Sequence, residues 1–125
     1  MKNLLKISML ALSLILMIGN ITAGNSTINK KVLGNWEYVS EQAPYEYSEG
    51  NIVLSEKDGK LVGVVVIDGY EMELENLSEE KNKVTFNIYV EGEEVNVEMT
   101  FKKNTFTGSA SFSEGTIPFS GKKIK

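Results

Sequence analysis

From Asn51 to Lys123 the chain consists of short runs in which apolar and polar residues alternate, and most runs end at a turn containing glycine or asparagine. In Tyr70–Asn76 the residues Tyr70, Met72 and Leu74 fall on one side and Glu71, Glu73 and Glu75 on the other, the period of two expected of a half-buried strand. The same period puts Val84, Phe86, Ile88 and Val90 on one face of Lys83–Glu91, and Val95, Val97, Met99 and Phe101 on one face of Glu94–Lys102. Thr105–Ser113 offers Phe106, Gly108, Ala110 and Phe112, and Thr116–Lys123 offers Ile117, Phe119 and Gly121. Asn51–Glu56 puts Ile52 and Leu54 on one face, whereas Leu61–Ile67 is a β-branched run with little alternation and is expected to be partly covered on both faces.

The punctuation between runs is that of hairpins. Asp58-Gly59, Asp68-Gly69 and Gly92-Glu93 supply the positive φ of tight turns, and Lys103-Asn104 and Glu114-Gly115 act at similar spacing. Leu77–Asn82 is polar and reads as a loop. Ahead of these runs lies Val32–Ser40, the first strand, which carries the only tryptophan, Trp36. The connection Glu41–Glu49 that follows is longer than the others and contains Pro44, which argues against a central strand there. The pattern therefore predicts an all-β domain: an eight-stranded antiparallel up-and-down β-barrel, with a two-sheet β-sandwich as the alternative. Gly63, Gly108 and Gly121 lie within strands, where a barrel bends sharply.

The start of the chain follows another logic. Lys2 and Lys6 precede an apolar run of about 12 residues, Ile7–Ile18, and Ile21-Thr22-Ala23 places a small residue at a cleavage position. The run is shorter than the roughly 18–20 residues of a membrane span. Residues 1–23 are thus expected to be a signal peptide, 24–31 a flexible lead and 32–125 the barrel, which predicts a secreted or periplasmic protein with no membrane span. Without cysteine there is no lipid-anchoring site and no disulfide.

Composition narrows the chemistry. Removing Lys2 and Lys6 leaves 11 basic groups against 17 acidic ones, a net charge of −6, which disfavours a nucleic-acid partner. With no histidine, arginine or cysteine, the usual general base, the bidentate anion clamp and the thiolate nucleophile are all missing. No catalytic residue, metal site or cofactor is expected, and the protein is read as a non-enzyme. Glu71, Glu73 and Glu75, and the group Glu91, Glu93 and Glu94, lack the spacing of a calcium loop and read as solvated faces.

Strand direction places the Glu41–Glu49 connection at one end of the barrel, with the turns at Asp68-Gly69, Gly92-Glu93 and Glu114-Gly115. A pocket at that mouth is expected to draw on Trp36, Tyr38, Tyr70 and Met72, with Tyr45 and Tyr47 as a lid. The partner is then a small apolar or amphipathic ligand. The alternative is a protein-interaction module, inhibitor-like, acting through the Pro44–Tyr47 loop. Ordinary core packing of the same aromatics is the competing structural explanation.

Some of these residues carry a family resemblance. Gly34-Asn35-Trp36 resembles the Gly-x-Trp that opens the first strand of lipocalin and avidin-type barrels, and Leu61-Val62-Gly63 resembles the Leu-x-Gly of an avidin-type strand. Ala43-Pro44-Tyr45 and Ser120-Gly121-Lys122-Lys123 are similar to a loop and a last strand of small secreted lipocalin-like barrels of Bacteroidota. The resemblance covers Val32 to Lys125 and implies a barrel with a general binding role. The chain departs from lipocalins in lacking the arginine that stacks on the tryptophan, for which Lys122 or Lys123 would substitute, and in lacking the C-terminal helix. It has one tryptophan where avidins place several around biotin, so no named ligand is implied.

Overall fold

The computed structural model describes residues 28–125. The expected signal peptide and the first part of the lead lie outside them. Nine strands form a single antiparallel sheet: β1 Gly34–Val39, β2 Glu49–Lys57, β3 Lys60–Ile67, β4 Tyr70–Glu73, β5 Glu75–Glu80, β6 Lys83–Val90, β7 Glu93–Lys102, β8 Thr105–Phe112 and β9 Gly115–Lys123. Their order is β4-β3-β2-β1-β9-β8-β7-β6-β5, so the first and last strands pair. Lys123 lies opposite Trp36, and Ser120 opposite Val39. The sheet rolls into a nearly closed barrel whose two ends, β4 and β5, are consecutive in the chain.

The ninth strand corrects the expected count of eight. Leu77–Asn82 is not a loop: β5 runs through Leu77–Glu80 and pairs with β6, Glu80 opposite Lys83. β4 and β5 are two halves of one descending ribbon. β4 pairs with β3, Val65 opposite Met72. The ribbon then bends at Leu74, whose N–H reaches the Gly63 carbonyl at 3.1 Å, and at Asn76, which has φ 54°. Beyond the bend it pairs with β6. The up-and-down order survives because the extra strand adds no reversal. The segment reads as loop because its half-buried face offers one apolar residue, Leu77, with Glu79 beside it.

Type I′ geometry accounts for three of the turns. Asp58-Gly59, Asp68-Gly69 and Glu91-Gly92 each hold two successive residues at positive φ, the twist that joins adjacent antiparallel strands without splaying them. The last part of the expected lead is ordered. Asn29 caps a 3₁₀ turn, Lys30–Val32, and its N–H donates to Glu79 at 2.8 Å. This turn plugs the lower end of the barrel, where Val32 is fully buried.

Trp36 stands on the plug. Its Nε1–H donates to the Val32 carbonyl at 2.9 Å, satisfying a donor that would otherwise be buried at a cost of about 1–3 kcal/mol. Phe101 and Phe106 meet its ring edge-on, with centroids 4.7 and 5.9 Å away. Lys123 Nζ lies 5.8 Å from the ring centroid, within the range of a cation–π contact. Leu54, Val84 and Met99 complete a dense lower core.

Candidate functional site

The upper half of the barrel is packed differently. Along β7 the inward residues from bottom to top are Phe101, Met99, Val97 and Val95, and along β8 they begin Phe106, Gly108 and Ala110. Along β7 side-chain volume falls towards the mouth, and on β8 the small residues Gly108 and Ala110 stand between Phe106 and Phe112. What remains is a cavity of about 380 Å³, near the lower end of the roughly 300–1,000 Å³ typical of small-molecule sites. Its floor is Tyr38, Ile52, Phe86 and Phe119, and its walls include Ile67, Ile88, Val95 and Ala110. Phe112 and Ile117 lie on one side of the mouth, and Ala43, Pro44 and Tyr47 on another.

Polar groups are few. Tyr38 is almost wholly buried, 7% exposed; its hydroxyl donates to the Tyr47 carbonyl at 2.9 Å. Desolvation pushes this phenol up to about 12, so it stays protonated at any physiological pH. Ser40 donates through Oγ to the Pro118 carbonyl at 2.8 Å, and its N–H anchors the base of the loop on the Ser48 carbonyl at 2.8 Å.

The connection between β1 and β2 folds over this space as a 3₁₀ turn, Tyr45–Tyr47, after Pro44. Tyr47 donates its hydroxyl to the Glu91 carboxylate. Glu91 lies at the β6–β7 turn, on the far side of the barrel from β1 and β2, so this bond is a strap across the mouth. It holds the Tyr47 phenol above its usual range. Glu93, next along the same turn, accepts from both the N–H and the hydroxyl of Ser113. These bonds hold its carboxyl below its ordinary range.

The six expected site residues divide into three groups. Tyr38 and Tyr47 both line the cavity. Trp36 and Met72 pack with the core, outside the lining, and Trp36 lies a layer below, against the plug. Tyr45 and Tyr70 are turned to solvent, 93% and 76% exposed. Tyr70 shares a face with buried Ile67, its cross-strand partner, but stands at the rim, above the level at which that face is covered.

Glu91 and Glu93 were not among the expected residues. A group of acids at a turn reads as a solvated face; strand direction sets this turn at the mouth end, but only the barrel's closure brings two of its acids into the cavity lining. The narrowing of side chains up β7, with the small residues Gly108 and Ala110 beside it on β8, was the available signal for the cavity. Phe86, Phe112 and Phe119, which could have filled the interior, form its floor and rim, whereas Met99 and Phe101 fill the lower half. Among the described residues no three metal-ligating side chains converge.

No protein-family model matches the chain, and no curated protein matches it. Among solved structures it is similar to a redesigned β-barrel, with a TM-score of 0.56 and 12% identity over 77% of this chain and 94% of that one. It is also similar to a single-substitution variant of the fluorescent protein UnaG, with a TM-score of 0.51 and 12% identity over 77% of this chain and 98% of that one. At this identity the likeness is one of fold: the chain is a β-barrel.

Proposed function

We propose that this protein is an exported, non-catalytic barrel that binds a small apolar or amphipathic molecule in the mouth half of its interior. Its kinship with lipocalin-like barrels, drawn from the Gly34-Asn35-Trp36 strand, is part of the same proposal. The observation that carries it is the cavity of about 380 Å³ above a fully packed lower core. A barrel that needed only stability would gain by filling this space, since cavities cost stability in proportion to their volume. Apolar walls with polar groups gathered at one end suit a ligand with an apolar body and a polar tip.

The test is a titration with N-phenyl-1-naphthylamine, a neutral dye that brightens in apolar surroundings. Saturable enhancement is expected with the native protein, and its loss in Ala110→Trp and in Val97→Phe, which fill the cavity from two strands. No enhancement with the native protein, or equal enhancement in both filled variants, would overturn the reading.

A second reading is supported by Tyr45, which is 93% exposed at the tip of the strapped turn. A rigidly presented aromatic of this kind suits a protein partner.

A further inference from the structure

The hydrogen-bonding state of the cavity points to the kind of polar tip that a ligand must carry. Each hydroxyl lining the cavity has its proton committed to the protein: Tyr38 to the Tyr47 carbonyl, Ser40 to the Pro118 carbonyl, and Tyr47 to Glu91. What these oxygens still offer is acceptor capacity, and the two charged groups in the lining, Glu91 and Glu93, are acceptors as well. Tyr38 as a whole is more than nine-tenths buried, and no donor among the described residues reaches its oxygen. The side chains around the cavity thus accept hydrogen bonds without offering any.

The charge distribution along the barrel axis has the same sense. All eleven lysines of the described residues lie at the plugged end, in the Lys30–Val32 turn, around the lower hairpins at Lys57, Lys81 and Lys103, and at the end of β9. Both ion pairs found among these residues, Lys30–Glu56 at 3.4 Å and Lys83–Glu98 at 2.8 Å, belong to the lower half. The connections at the mouth carry Glu41, Glu46, Asp68, Glu91 and Glu114 and no lysine. A carboxylate-tipped ligand would meet like charge and acceptors without donors. An ammonium, with three donors and no acceptor, complements both features.

We propose that the cavity selects a cationic amphiphile, a single hydrocarbon tail ending in a primary ammonium group, over the carboxylate of the same tail. This rests on the binding role proposed above. The ammonium would sit at the level of Glu91 and Glu93 with the Tyr38 oxygen beneath it, and the tail would lie against Ile88, Val97 and Phe119.

The test is displacement of bound N-phenyl-1-naphthylamine at pH 7 by dodecylamine, dodecanoate and dodecanol, each below its micelle-forming concentration. Dodecylamine is expected to displace the dye at about tenfold lower concentration than dodecanoate. Referenced to dodecanol, that gap should shrink in Glu91→Gln/Glu93→Gln and in molar salt, where the mouth field is screened. Dodecanoate matching the amine, or a gap unmoved by both the double variant and salt, overturns the head-group selection while leaving the binding role intact. A native protein that takes up no dye overturns both.

Discussion

Trp36 and Tyr38 sit two residues apart on the same face of β1, yet they serve different halves of the molecule. Trp36 anchors the plug, and Tyr38 forms the floor of the cavity. Replacing Trp36 with Ala should cost about 3–5 kcal/mol by the precedent of buried aromatics, read in a denaturant titration. Because the ring lies below the cavity, its emission should be blue-shifted and should barely respond when the cavity fills; a large response would move the site down to the plug. Tyr38→Phe should cost about 1 kcal/mol at neutral pH, the value of one internal hydrogen bond. The pH dependence has a definite sign. The folded state holds the phenol at about 12 against an ordinary 10.0, so its contribution is complete below pH 10 and is lost as pH rises through about 12. Tyr38→Phe should therefore lose less stability than the native protein across that interval. That the two rings share a face was legible from strand period. Their different roles were not, because they depend on the residues facing them from β7 to β9.

At the scale of elements, most of the strands and tight turns were legible because alternation and Asp-Gly pairs are local signals. The β4–β5 ribbon was not. Its bend is set by which neighbour each half pairs with, a choice made by barrel closure, and Glu79 on its half-buried face concealed β5. The in-strand glycines have a contact reason besides bending. At Gly121 an added methyl would overlap the Glu37 carbonyl of β1 and come within 2.7 Å of the Phe106 ring. This is the seam where first and last strands meet, so Gly121→Ala should cost about 1–3 kcal/mol by overpacking and increase amide exchange in β1 and β9 before other strands. Exchange rising evenly over the barrel would deny that seam its special role. The Tyr45–Tyr47 turn makes the opposite prediction. Tyr45→Ala should leave the melting temperature within about 2 °C of native, since its ring touches little; a larger drop would mean that Tyr45 caps the core.

At the scale of the whole molecule the barrel has two poles: a plugged end that is dense and rich in lysine, and an open end that is hollow and acidic. The fall in side-chain size along β7, the small residues Gly108 and Ala110 of β8 and the placement of every described lysine are all present in the sequence, but only the order and direction of the strands line them up along one axis. The hollow end is proposed as a binding site. Its most direct test is the ¹H–¹⁵N spectrum of the labelled protein during titration with N-phenyl-1-naphthylamine. Saturable shifts are expected at the amides of Ile52, Ile88, Val97 and Ala110, with the Trp36 indole signal and the amide of Phe101 nearly still. Shifts confined to the outer faces of the strands, or no saturable shift at all, would contradict it.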